Sequence, residues 1–89
     1  MDEIVKVSRI KCLGAYQLRL WFTDGQAGDW DFSELAGERG PMVEPFKDPA
    51  FFDQVFLEMG VPTWPNGFDW CADALHQDMQ AAGALAPVR

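Results

Sequence analysis

The sequence predicts a small α+β domain: a curled, mainly antiparallel sheet of four to five strands, with a short helix or two and a C-terminal helix packed on it. Three observations lead there. The strand signals cluster in the first third of the chain. An Asp24-Gly25 turn joins two of them. The clearest helical spacing of apolar residues comes last, over residues 71–82.

Residues 4–11, Ile-Val-Lys-Val-Ser-Arg-Ile-Lys, mix β-branched and basic side chains and read as a strand with one wet face. Gly14-Ala15 breaks that run. In residues 16–22, Leu18, Leu20 and Phe22 alternate with Gln17, Arg19 and Trp21, which points the first set at the core. Asp24-Gly25 follows at once and reads as a type I′ hairpin turn, so the return strand runs from Gln26 to about Trp30.

Asp31 and Glu34 have capping-box spacing, and the helix they begin is cut short by Gly37 and Gly40-Pro41. Residues 42–46 read as a brief extended piece, kept at an edge by Pro45. Asp48-Pro49 starts a helix of one or two turns, followed by a strand through Phe56, Leu57, Glu58 and Met59. Gly60, Pro62 and Pro65-Asn66-Gly67 form turns. On the last helix Ala72, Leu75, Met79 and Ala82 share one face, and Gly83 ends it. The expected organisation is one domain over residues 1–83 and a loose C-terminal tail over 84–89.

With 89 residues the chain holds one modest core, which four Trp and seven Phe can fill without staples. Fourteen acidic and seven basic residues leave a net charge of −7. Such a surface repels nucleic-acid phosphates and anionic membranes and attracts a basic protein partner. Two cysteines, Cys12 and Cys71, are too few for a secreted disulfide scaffold. Met1-Asp2-Glu3 lacks the basic start of a signal peptide, and no apolar run is long enough for a membrane helix. The cytoplasm is therefore the expected compartment, with both thiols reduced.

No catalytic group, metal or cofactor is expected. His76, the single histidine, reads as a partly exposed helix residue. Cys71 and His76 stand five residues apart and diverge by roughly 140° on a helix, so they cannot chelate one metal as a helical pair. Asp24, Asp29 and Asp31 lack the spacing of a calcium loop, and turn and cap duties explain Asp24 and Asp31. Ser8 and Ser33 have no nucleophile-elbow context, and there is no glycine-rich phosphate loop. What remains is Trp64-Pro65-Asn66-Gly67-Phe68-Asp69-Trp70, with Asp69 placed to cap the last helix. This segment reads as a buckle pinning that helix to the sheet, or as an aromatic patch for a partner.

One order of motifs carries a resemblance. Leu20-Trp21-Phe22-Thr23-Asp24-Gly25 is followed by Asp31-Phe32-Ser33-Glu34-Leu35, then by Pro45-Phe46-Lys47-Asp48-Pro49 with Phe52. Trp64-Pro65-Asn66-Gly67-Phe68-Asp69 and Ala74-Leu75-His76 complete it. Over about residues 4–76 the chain resembles the bacterial domain-of-unknown-function 2442 family, and the Trp-Pro-Asn-Gly-x-Asp segment is the most specific part. The resemblance implies a small α+β fold and no established activity. It also implies a suggested role beside another small protein in a toxin–antitoxin pair. Some relatives continue into a helix-turn-helix domain, which is not expected within these 89 residues. The family pattern usually has Tyr where His76 stands.

Two functions follow as expectations. The first is a non-enzymatic, acidic protein-binding module, the antitoxin-like half of a two-gene pair, with a homodimer through a free sheet edge also allowed. The second is a small-molecule or enzymatic domain with a cleft near the Trp64–Trp70 turn, where Asn66, Asp69 and Asp24 supply the polar contacts.

Overall fold

A computed structural model describes residues 5–88. Strands β1 (Val7–Gly14), β2 (Gln17–Phe22) and β3 (Gln26–Asp31) form an antiparallel meander. Two 3₁₀ turns, Ser33–Gly37 and Glu44–Lys47, lead to the single-turn helix α1 (Pro49–Phe52). A small hairpin, β4 (Phe56–Glu58) and β5 (Val61–Thr63), precedes helix α2 (Ala72–Ala81). Strand β6 (Ala86–Pro87) then joins the main sheet, whose order is β1-β2-β3-β6. The fold class is α+β, as the sequence predicts. Of the first predicted strand, Ile4 lies outside the described residues, as do Met1–Glu3 and Arg89.

Period-2 spacing on β2 does what it predicts. Leu18, Leu20 and Phe22 are buried, while Gln17, Arg19 and Trp21 face outward. Burying three such side chains contributes roughly 5–9 kcal/mol before entropy is counted, so a one-residue slip of register is excluded. Above this row lie Leu75 and Met79 of α2 and, from the connecting segments, Phe32, Leu35, Val43, Phe46 and Phe52. The apolar face of α2 differs from the prediction at two positions: Ala82 is exposed at the helix end, and His76 is buried.

The hairpin chemistry is also redistributed. Between β2 and β3 the loop has three residues, closed by the Gly25 N–H donating to the Phe22 carbonyl (3.2 Å), and only Gly25 has positive φ. The expected type I′ turn at Asp24-Gly25 is therefore absent. Positive φ at both central residues occurs instead at Ala15-Tyr16, between β1 and β2, and at Met59-Gly60, between β4 and β5. Tyr16 is held in this unfavourable region by the core: its ring lies 5.3 Å from that of Phe52, and its hydroxyl donates to the Phe46 carbonyl (2.7 Å).

Two further expectations are corrected. Asp31 does not cap a helix through a capping box. Its carboxylate accepts from the Ser33 N–H (2.8 Å), Phe32 is the residue preceding the 3₁₀ turn, and the Glu34 side chain makes no reach back. The stretch expected to be extended, 42–46, coils into the second 3₁₀ turn, where Pro45 supplies a helical φ. Asp48, by contrast, caps α1 as predicted, accepting from Ala50 N–H (3.0 Å).

The segment expected to be a loose tail is docked. Gly83 (φ 71°) closes α2 in a Schellman arrangement, with Ala84 N–H donating to the Met79 carbonyl and Gly83 N–H to that of Gln80. The chain then crosses Gly28 and pairs with β3 through Gln26↔Pro87 and Ala27↔Ala86. At the opposite edge, β1 is accompanied by the β4–β5 hairpin: Val7 N–H donates to the Gly60 carbonyl (2.8 Å). No helix among the described residues is long and apolar enough to cross a membrane.

Candidate functional site

The Trp64–Trp70 segment begins where β5 ends and delivers the chain to α2. Pro65 supplies a turn φ, Gly67 (φ 90°) takes the left-handed position, and Gly67 N–H donates to the Trp64 carbonyl (2.9 Å). Trp64 N–H then donates to the Phe68 carbonyl (2.8 Å), and Thr63 bridges Asp69. This closed loop directs the Trp64 side chain inward.

Trp64 is 0% exposed. Its indole N–H donates to the Phe52 carbonyl (2.9 Å), and its ring lies 5.0 Å from Phe46, 5.7 Å from Phe52 and 5.8 Å from Phe68. Trp70 is half-buried, edge-on to Phe32 at 5.2 Å. Asn66 spends both ends of its amide on the fold: the Nδ2 group donates to the Met42 carbonyl (2.9 Å) and Oδ1 accepts from Phe68 N–H (3.1 Å). Asp69 is exposed and does not cap α2. The cap position is Cys71, without a side-chain hydrogen bond. The place where a cleft would open is filled by the Trp64, Phe46 and Phe68 rings.

Asp24, the fifth sequence candidate, stands elsewhere. It shares no hydrogen bond with Asn66 or Asp69 among the described residues. It meets His76 instead, with His76 Nε2 2.7 Å from Asp24 Oδ2. The residue His76 is only 9% exposed, and its ring sits edge-on to Phe22 at 5.0 Å. Asp24 also accepts from the Gln26 backbone N–H (3.1 Å) and from the Gln26 side-chain amide (2.9 Å). An ionised carboxylate has only acceptors to offer, so the hydrogen on this bond sits on His76 Nε2. The pair latches the β2–β3 hairpin to α2 across 52 residues of sequence.

Sequence reading missed this latch because nothing local marks it. The available signal was the position of His76, four residues after Ala72 and three before Met79, on the apolar face of α2. Cys12 and Cys71 are both exposed and free, and the described residues hold no cluster of three metal-ligating side chains. Burial pushes the Cys12 thiol up, with Asp53 adding to the effect.

The surface charges have clear directions. Partial burial pushes the Asp24 carboxyl up, but the Gln26 and His76 hydrogen bonds outweigh it and hold the group below the usual carboxylate range. Asp29 is lowered by its hydrogen bonds from Arg19 (2.8 and 3.2 Å), and Asp31 by the Ser33 backbone N–H. Each folded-state value lies below the unfolded one. The stability these groups contribute is therefore complete above the unfolded value near 4 and is lost as pH falls through the folded values. Urea midpoints measured from pH 6 downward are expected to stay level and then fall below about pH 4, with a shallower fall in Asp24→Asn. A midpoint that rises on acidification would contradict these contacts.

A comparison with curated proteins matches none, and a comparison with solved structures likewise matches none. A family model does match: the one described as protein of unknown function (DUF2442) covers residues 7–78. The latch, the inward Trp64 and the Asn66 bonds all fall within that span, and the chain belongs to the DUF2442 family.

Proposed function

We propose that the chain is a non-enzymatic, cytoplasmic protein-binding module whose partner is basic, acting as the neutralising, antitoxin-like half of a two-protein pair. One observation carries this reading: the negative charge is not consumed by the fold. The net charge is −7. Glu34, Glu38, Asp53, Glu58, Asp73 and Asp78 are exposed, and none of them pairs with a basic side chain among the described residues. An acidic surface of this kind steers a basic protein into contact and repels polyanions.

The small-molecule alternative loses its basis at the Trp64 turn. There the aromatic rings pack on each other, and Asn66 is committed to two backbone partners. The test is purification of the tagged full chain from its native host at low salt. Recovery of a stoichiometric basic protein is expected, with a complex that weakens steeply as salt rises. Recovery of the chain only as a free monomer would overturn the proposal.

A further inference from the structure

The outer face of the main sheet carries charge that folding does not use. Strand register sets three rows of side chains across it, because residues directly opposite on antiparallel strands share a face. One row is Arg9, Trp21 and Ala27, the next Lys11, Arg19 and Asp29, and the last Gly14, Gln17 and Asp31. Leu18, Leu20 and the rest of the core lie on the other side, so this face is open: Arg9, Lys11, Asp29 and Asp31 are exposed. Its charges are ordered by strand. Those of β1 are basic (Arg9, Lys11), those of β3 acidic (Asp29, Asp31), and β2 between them holds Trp21 and Arg19. Lys11 makes no ion pair among the described residues, and Asp31 accepts from Ser33 N–H without facing a basic side chain. Trp21 is half-buried, with the Arg9 guanidinium 4.7 Å from its ring centre. A large aromatic at the middle of an open, charge-flanked face is the arrangement of a contact surface.

From this order of charges we infer that the outer sheet face is a self-complementary surface for a second copy of the chain. Sheets stacked face to face lie about 10 Å apart, with their strands within about 30° of alignment. Two identical faces can meet about a two-fold axis in either of two ways. An axis across the strands sets Lys11 against Lys11 and Asp29 against Asp29. An axis along the strands lays β1 of each copy over β3 of the other. Lys11 of each copy then meets the other copy's Asp29, and the two Trp21 rings meet at the centre. Charge chooses the second arrangement. Arg19 lies near that axis already neutralised by its own Asp29 (2.8 and 3.2 Å). The net charge of −7 does not oppose the contact locally, since the face itself holds three basic and two acidic side chains. Charges elsewhere are screened beyond roughly 8 Å at physiological salt. The inference goes beyond the basic-partner reading and does not depend on it. A basic partner would use acidic side chains away from this face, Asp73 and Asp78 of α2 among them, so either reading can fail alone.

Three strands make a small face, so the dimer is a weak one, with a dissociation constant on the order of 100 μM. The test is sedimentation equilibrium of the full chain at concentrations bracketing that value. Lys11→Glu and Asp29→Lys are each expected to weaken self-association about tenfold, because each sets like charges opposite one another across the axis. An equimolar mixture of the two variants is expected to restore it, since opposite charges then face each other at both contacts. Trp21→Ala is expected to weaken association by a similar factor, about tenfold. A folding defect in a single variant would not be repaired by mixing, so the mixture separates lost contact from lost structure. A chain that stays monomeric up to about 1 mM would overturn the inference. So would a dimer indifferent to all three substitutions, which would place the contact elsewhere, at the sheet edge for example. A mixture that associates no better than either variant alone would also overturn it.

Discussion

Trp64→Ala is expected to destabilise the domain by about 3–5 kcal/mol, the range for removing a fully buried large aromatic. A domain of 89 residues has a net stability of roughly 5–13 kcal/mol, so the variant stands close to unfolding. The loss has two sources. The cavity would lie between Phe46, Phe52 and Phe68, which come from segments that do not otherwise form one sheet or one helix, so neighbouring atoms cannot simply close over it. The Phe52 carbonyl would also lose the indole N–H and keep only the Val55 N–H (3.2 Å) as a donor. Trp64→Phe separates the two, keeping much of the ring volume while removing the indole N–H, and is expected to cost about 1–3 kcal/mol. Urea denaturation measures both. A Trp64→Ala midpoint within about 1 kcal/mol of the unmodified chain would show that the ring is not a keystone of the core.

Gly28→Ala is expected to cost about 2–3 kcal/mol, in the upper part of the range for overpacking. A methyl group at Gly28 would overlap the Ala84 carbonyl oxygen and lie 3.1 Å from Met79 Cε. The oxygen belongs to backbone fixed by the Schellman hydrogen bonds, so no flexible side chain can yield. Relief requires the segment after α2 to lift off β3. That sacrifices the Gln26↔Pro87 and Ala27↔Ala86 pairing and the bond from Val88 N–H to the Gly25 carbonyl (2.8 Å). Amide hydrogen exchange at Ala84, Ala86 and Val88 is therefore expected to accelerate more than exchange at Leu18 or Leu20. Uniform acceleration across the sheet would mean that the tail is not the part that gives way.

Legibility in the sequence followed the range of the interactions. The β2 alternation, the Asp48-Pro49 cap, the burial of Ala72, Leu75 and Met79 on α2 and its Gly83 stop are all decided within a few residues, and each is where the spacing puts it. Turn geometry was less legible. Asp24-Gly25 has the composition of a type I′ turn but sits in a three-residue loop, while Ala15-Tyr16 adopts positive φ against local preference because Tyr16 is anchored to Phe46 and Phe52. Tertiary contact overrode propensity there. The tail read as loose because Ala84–Arg89 has no periodic signal, and its docking depends on Gly28, more than fifty residues earlier.

The candidate site was legible as a cluster but divided in function. Trp64 and Asn66 belong to the buckle that the sequence suggested, and Trp70 packs at its edge. Asp69 lies exposed beside it, and Asp24 was drawn off to His76, a partnership that only the folded chain creates.

The central claim is that the Trp64–Trp70 turn holds the fold while the proposed partner meets the charged surface. The most direct measurement is the affinity of Asn66→Ala for the basic protein recovered from the native host, made beside its urea midpoint. Losing the bonds to Met42 and Phe68 is expected to lower stability by about 1–2 kcal/mol, and affinity is expected to stay within about twofold of the unmodified chain. A variant of full stability whose affinity has collapsed would place the binding surface on the turn and contradict the account.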